Sequence, residues 1–215
     1  MTATTLHETA HASAHGAHGV PPISSADGPA PKRIIIAYGF WLFLLSDIIM
    51  FSAIFATYAV LARATASGPT GAQLFDPMNV AVETALLLLS SFSCGMMALA
   101  MDARHRTYFY AGAAITFLLG GAFLVLELRE FAGMIMAGAT PQRSAFLSAF
   151  FTLVGCHGAH VAIGLLWLVV MVAQVADKGW RDTVLHRLMC FSLFWHALDI
   201  IWVALFTIVY LMGGR

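Results

Sequence analysis

The sequence contains very little charge. Aspartate, glutamate, lysine and arginine make up 10% of its 215 residues, against about a quarter in a typical soluble domain. The formal net charge is zero, so the charge balance gives no support to a nucleic-acid partner. The three cysteines, Cys94, Cys156 and Cys190, form no CxxC pair and lie in apolar runs, where cysteine usually packs as a small apolar residue. Composition therefore argues against a soluble domain and against a cysteine-based metal centre.

Long apolar runs dominate the rest of the chain, and 60% of the residues are hydrophobic. A helix needs about 20 such residues to cross a bilayer. Five runs have a suitable length, at 34–62, 80–101, 108–126, 145–176 and 188–212. The sequence therefore predicts an all-α, polytopic membrane bundle of five transmembrane helices over 32–215.

The first 31 residues differ in character from the rest. Residues 1–31 are rich in Ala, His, Pro and Ser, and they lack the apolar core of a secretory signal. The histidines of this segment are His7, His11, His15 and His18. Such a segment cannot bury enough apolar surface to offset its ordering entropy. We expect a disordered cytoplasmic tail with adventitious metal affinity.

Basic residues are distributed unevenly between the two sides of the predicted bundle. One side collects Lys32, Arg33, Arg104, Arg106, Lys178, Arg181 and Arg187. The other side collects Arg63, Arg129, Arg143 and Arg215. The positive-inside rule then places the N-terminus in the cytoplasm and, with five spans, the C-terminus in the periplasm.

Several ionisable residues lie within the apolar runs, where a charge costs at least about 2.5–3.5 kcal/mol on insertion scales. They are Asp47, Glu83, Glu127, His157, His160, His196 and Asp199. Counting residues along the spans places Asp47 near the bilayer middle, together with His157 and His160 of the fourth span and His196 and Asp199 of the fifth. Glu83 and Glu127 fall towards the outer surface, level with one another and near Arg129 or Arg143.

Spacing indicates which of these residues share a helix face. His157 and His160 are three residues apart, as are His196 and Asp199, so each pair lies on one face. We predict that the four form one buried hydrogen-bond network joining the last two spans. Two other interpretations stay open on residue chemistry alone. One is a haem or metal site built from His157, His160 and His196, and the other is a proton- or ion-coupled transporter.

Asp47 is the most isolated of these residues in sequence. A carboxyl in hydrocarbon favours its neutral form and needs a hydrogen-bonding partner. The sequence offers the hydroxyls of Ser46 and Ser52. We expect Asp47 to lie inside the protein, near a cleft between helices, and away from lipid tails.

Small residues suggest where helices approach closely. Gly112, Thr116 and Gly120 form a small-xxx-small stripe in the third span. Gly164, with its neighbouring glycines, is expected to loosen the fourth span.

Three motifs resemble subunit III of the haem–copper respiratory oxidases. Residues 157–161 read HGAHV and resemble that subunit's HGxHV helix. Residues 195–202 read WHALDIIW and resemble its last helix, WHxxDxxW. Ser46-Asp47 stands where many members carry Ser-Glu, so a role known for the longer glutamate need not transfer to Asp47. The resemblance covers roughly 33–213.

A narrower resemblance is to the bo-type ubiquinol oxidase branch of that family. It rests on ATYAVL at 56–61, GPTG at 68–71, SLFWH at 192–196, VYLMG at 209–213 and the His-rich tail. Five spans agree, since larger relatives begin with two extra helices. The choice of quinol over cytochrome c as electron donor rests on this resemblance alone.

The resemblance implies a non-redox accessory subunit of a proton-pumping terminal oxidase in the aerobic respiratory chain. Such a subunit carries no haem, copper or other metal and no catalytic residue. Haem and copper are expected in the partner catalytic subunit I. It also implies bound phospholipid, support of proton uptake and a multi-pass location in the bacterial inner membrane. The alternative is a proton-coupled transporter acting alone.

Overall fold

The computed structural model of the chain describes residues 32–62, 64–65 and 77–212. The predicted tail, 1–31, lies outside the described residues, as do the loop motif 68–71, Arg63 and Arg215. Over the described ranges the chain is helical and contains no strand.

Five long helices follow one another along the chain. They are α1 (Lys32–Leu61), α2 (Pro77–Asp102), α3 (Arg106–Met136), α4 (Ala145–Lys178) and α5 (Asp182–Leu205). A seven-residue π-helix, Phe206–Met212, continues α5. All five long helices are apolar enough to cross a membrane. The prediction of an all-α bundle with five transmembrane helices is confirmed.

The third helix is longer than predicted. The apolar run ended at 126, but α3 continues to Met136. In the charged segment that follows position 126, Glu127 is buried while Arg129 is exposed. This segment is therefore an amphipathic part of the helix. The start of α5 was also misplaced: the predicted run began at 188, but the helix begins at Asp182 and includes Arg187. Charges that interrupt an apolar run therefore did not mark loops at these two places.

Contacts between the connections define two ends of the bundle. At the first, Phe109 at the start of α3 packs against Trp180, which follows α4, with ring centroids 5.3 Å apart. At the second, the amide of Phe146 in α4 donates to the carbonyl oxygen of Ala64, which follows α1, at 3.3 Å. We call the first the turn end and the second the loop end.

Helices α4 and α5 lie at the centre of the bundle, because α5 packs against α1, α2 and α4, and α4 packs against α1, α3 and α5. Helices α2 and α3 form the most extensive pair, and α3 also packs against α4. Helix α1 contacts α4 and α5 at the edge and is the least buried of the five.

One tryptophan fixes the spacing of the inner helices. Trp195 of α5 lies so close to Gly120 of α3 and Gly164 of α4 that an added Cβ would come within 2.9 Å and 2.8 Å of its ring. Its Nε1 donates to Ser90 Oγ of α2 at 3.0 Å. The stripe on α3 is thus a packing surface. Gly164 has a packing role as well, because it admits a bulky neighbour, and its expected loosening of the helix stays a prediction.

Candidate functional site

The first polar contact joins α1 to α4. Asp47 Oδ2 lies 4.0 Å from His160 Nε2. The other ring nitrogen of His160, Nδ1, lies 2.7 Å from the carbonyl oxygen of Cys156. A carbonyl oxygen only accepts, so Nδ1 carries a hydrogen and donates it. Nε2 can then face a neutral carboxyl as an acceptor or a carboxylate as a protonated donor. At 4.0 Å the two atoms are beyond hydrogen-bond distance, so the contact brings two ionisable side chains of different helices close together without a direct hydrogen bond.

Asp47 is mostly but not fully enclosed, since 16% of its side chain is exposed. Its expected partners, the neighbouring serines, bond elsewhere. Ser46 Oγ donates to the carbonyl oxygen of Phe43 and Ser52 Oγ to that of Ile48, both at 2.7 Å. The prediction of a serine partner is wrong, because each hydroxyl satisfies a carbonyl of its own helix. His160 occupies the position facing the carboxyl.

His157 is fully buried and lies among aromatic rings. Its ring centroid is 5.1 Å from that of Trp202, 5.9 Å from that of Phe123 and 6.5 Å from that of Phe51. Neither ring nitrogen has a hydrogen-bonding partner among the described residues. The surroundings of His157 are therefore aromatic and apolar.

The second polar contact joins α5 to α2. His196 Nδ1 lies 2.7 Å from Ser91 Oγ, and the carboxyl of Asp199 lies close to both side chains. These three side chains border a groove of about 500 Å³ whose other walls are apolar, including Phe92 and Met96. The group is therefore half-buried and opens to the outside of the bundle.

The four residues expected to form one network do not meet at one site, and His157 takes part in neither polar contact. His160 faces α1, whereas His196 and Asp199 face α2. No hydrogen bond links the two pairs within the described residues. The prediction is wrong because Trp195 and Trp202, rather than the polar pair, fill the inner faces of α5. Equal spacing placed each pair on one face but did not identify the neighbouring helix.

A third polar group lies near the loop end. Glu83 and Glu127 are both buried, and each is an electrostatic neighbour of Glu130. The prediction that Glu83 and Glu127 lie level with one another agrees with this proximity. Neither forms an ion pair with Arg129 or Arg143 among the described residues, and Arg143 Nη1 instead donates to the carbonyl oxygen of Gly138 at 3.1 Å. The expected arginine partner is therefore wrong.

Metal ligation is not supported by the arrangement of these groups. Across the described parts of the chain, no three His, Cys, Asp or Glu side chains converge closely enough to hold a metal ion. Of the three histidines in the haem or metal interpretation, His160 lies at the α1–α4 contact, His196 at the α2–α5 contact and His157 among aromatic rings.

Sequence reasoning missed several residues that complete these sites. Neither Ser91 nor Glu130 was among the candidate residues, and Trp195 entered only as part of the motif at 195–202. Glu130 had a usable signal, since it follows Glu127 by three residues on one helix face. Tyr58 and Tyr210, which lie near the buried glutamates, had none, because they come from distant parts of the chain.

The fold and these groups define a multi-pass helical membrane protein with paired polar side chains inside its spans. The family model for cytochrome c oxidase subunit III matches residues 28–214. The chain belongs to this family and is an accessory subunit of a terminal oxidase. In this family haem and copper belong to subunit I.

Individual relatives are similar over most of their length. Cytochrome bo(3) ubiquinol oxidase subunit 3 of Pseudomonas aeruginosa is 50% identical over 177 residues, covering 82% of this chain and 85% of that protein. Quinol oxidase subunit 3 of Bacillus subtilis is 41% identical over 175 residues, covering 81% and 86%. Cytochrome c oxidase subunit 3 of Bacillus sp. PS3 is also 41% identical over 175 residues, covering 81% and 84%.

Proposed function

We propose that this chain is the non-redox subunit III of a proton-pumping quinol oxidase in the bacterial inner membrane. There it binds subunit I and phospholipid and supports proton uptake. The observation that supports the proton role is the approach of Asp47, on the least buried helix of the bundle, to His160, which brings two ionisable side chains within 4.0 Å. A stand-alone transporter has no support among the relatives.

Quinol as the electron donor is supported by the names of the relatives. The Pseudomonas aeruginosa protein, at 50% identity, is named a ubiquinol oxidase subunit, and the PS3 protein, at 41%, a cytochrome c oxidase subunit. The complex, purified through a tag on this chain in mild detergent, should show haem absorption and oxidise ubiquinol but not reduced cytochrome c. Oxidation of cytochrome c would overturn the donor assignment. A chain that purifies without haem would overturn the proposal that it assembles with a haem-bearing subunit.

The proton role is tested by Asp47→Asn, which keeps size and hydrogen bonding but cannot titrate. We expect normal assembly, slower proton uptake and faster loss of activity during turnover. The exposed Asp177 provides a matched control, Asp177→Asn, which should behave as wild type. Unchanged pumping and durability in the Asp47 variant would reduce this residue to a packing role. Loss of assembly would instead indicate a charged pair that holds α1 in place.

Phospholipid binding is supported by a groove of about 610 Å³ between α2 and α3, lined by Phe92, Met96 and Ile115. His105 and Tyr108 line its turn end, beside the basic residues that flank His105. Such an end suits an anionic headgroup. Ala111→Phe should fill the groove and lower the lipid phosphorus that copurifies with the complex. Ala132→Phe, at another exposed position of α3, should not, and equal phosphorus in both variants would contradict the site.

The proposed orientation places the turn end in the cytoplasm. It is tested with single exposed alanines changed to cysteine, Ala103→Cys at the turn end and Ala137→Cys at the loop end. An impermeant thiol reagent added to spheroplasts should label position 137 and spare position 103. The parent chain measures background from the native cysteines. The reverse labelling pattern would invert the orientation.

A further inference from the structure

Five polar side chains from four parts of the chain meet near the loop end. Tyr58 comes from α1, Glu83 from α2, Glu127 and Glu130 from α3, and Tyr210 from the C-terminal π-helix. Tyr210 is an electrostatic neighbour of all four others. We call these five residues the loop-end cluster.

The core of the loop-end cluster is closed to solvent. Glu83 is 1% exposed, and Glu127 and Tyr58 are each 2% exposed. Glu83 Oε2, both carboxyl oxygens of Glu127 and the hydroxyl of Tyr58 have no hydrogen-bonding partner among the described residues. Buried polar groups of this kind commonly bind internal water, which makes about three hydrogen bonds to otherwise unsatisfied atoms.

Electrostatics limits how these carboxyls can be charged. Glu127 lies close to both Glu83 and Glu130, and carboxylates that share a buried site cannot all ionise. No arginine or lysine of the described ranges forms an ion pair with Glu83 or Glu127. The side chains also do not converge as metal ligands. Among the described residues, a proton is therefore the positive charge left for Glu83 and Glu127 to hold between them.

We propose that the loop-end cluster is a proton-holding site, in which buried water links the carboxyls of Glu83, Glu127 and Glu130 to the hydroxyls of Tyr58 and Tyr210. At least one glutamate is neutral and shares its proton through this water. Release leaves one carboxylate in the cluster and passes H⁺ to water at the loop end, and uptake reverses the step. No electron moves in either direction.

The loop-end cluster is distinct from the Asp47–His160 contact. His157, Phe123 and Trp202 form an aromatic layer around the middle of the bundle, and Tyr210 approaches this layer through Trp202, with ring centroids 6.4 Å apart. The inference goes beyond the proposed function, because it assigns a second proton site, at the loop end of the fold. Only its location on the outer face depends on the proposed orientation.

Infrared spectroscopy of the intact oxidase complex tests the proposal, because a neutral carboxyl has a carbonyl stretch that a carboxylate lacks. The wild type should show this band, shifted in D₂O. Glu127→Gln or Glu83→Gln should remove intensity from it. Tyr58→Phe should shift it by removing one hydroxyl from the network. Asp177→Asn, an exposed control, should leave it unchanged.

Other outcomes would overturn the proposal. An unchanged band in both glutamine variants would show that neither carboxyl holds a proton. Loss of a carboxylate band instead would show ionised groups paired with a cation, and a band altered by chelator would identify that cation as a metal. If the glutamine variants do not assemble, the Tyr58→Phe variant provides the test. A carbonyl stretch that does not shift in that variant would reject the proposed proton-holding site. The readout needs neither donor nor turnover, so an error in the donor assignment would not affect it.

Discussion

Asp47 and His160 face each other across the contact between α1 and α4, with Oδ2 4.0 Å from Nε2. The Nδ1–H of His160 is held by the carbonyl oxygen of Cys156, so the ring orientation is fixed from its own helix. The edge helix α1 thus meets α4 through a polar contact in addition to its apolar packing.

This contact predicts energetic coupling between the two residues. Asp47→Asn and His160→Ala should each lower the thermal stability of the complex, and their double variant should deviate from additivity by about 0.5–3 kcal/mol, as contacting residues do. The control cycle combines Asp47→Asn with His196→Ala, which belongs to the α2–α5 contact, and should be additive. Additivity in the first cycle would mean that the contact between Asp47 and His160 contributes nothing to the stability of the complex.

A second cycle tests the separation of the two polar contacts. His160→Ala and Asp199→Ala should be additive within about 0.5 kcal/mol, because they share no partner. A single network across the last two spans would instead produce coupling. Thermal unfolding of the complex, with both single variants and the double variant, decides between these arrangements.

The tryptophan contact predicts a steric effect at two glycines. Gly164→Ala should destabilise the complex by about 1–3 kcal/mol through overpacking, because its Cβ would lie 2.8 Å from the ring of Trp195. Gly120→Ala should act in the same way. Gly121→Ala is the matched control, since nothing lies within 4 Å of its Cβ position. Trp195→Phe should partly rescue Gly164→Ala, and a rescue failure would place the clash elsewhere.

A hydroxyl deletion tests the polar side of the same tryptophan. Ser90→Ala should cost about 1–3 kcal/mol, because it leaves the Nε1–H of Trp195 unsatisfied in the core. Ser46→Ala removes an exposed hydroxyl that bonds only to its own helix and should have little effect. Equal losses of thermal stability in the two variants would contradict the assignment.

The length of the apolar runs was sufficient to predict the five spans. The thickness of the hydrocarbon core sets the length of a span, and this requirement does not depend on which helices pack together. Run length failed at Glu127 and Glu130, where a buried carboxyl interrupted the run without ending the helix. Helix periodicity correctly placed His196 beside Asp199 on one face. It could not show that this face meets Ser91, because the angular position of α5 is set by Trp195 fitting between two glycines far away in sequence.

The loop-end cluster was the least predictable part of the molecule. Tyr58 and Tyr210 are 152 positions apart (210 − 58), and each alone is an ordinary tyrosine near the end of an apolar run. Only packing brings them to the glutamates. The Asp47 partner was misjudged for a related reason, since nearby hydroxyls were visible in sequence and His160 on another helix was not.

The fit of Trp195 between Gly120 and Gly164 also constrains how this family can vary. The space there is shared by three positions, so their side-chain volumes are not independent. A relative with a smaller ring at the position of Trp195 should carry a larger residue at one of the two glycine positions, whereas a relative with the tryptophan should keep both small. The three positions should therefore change together across the family, although they lie in three different helices.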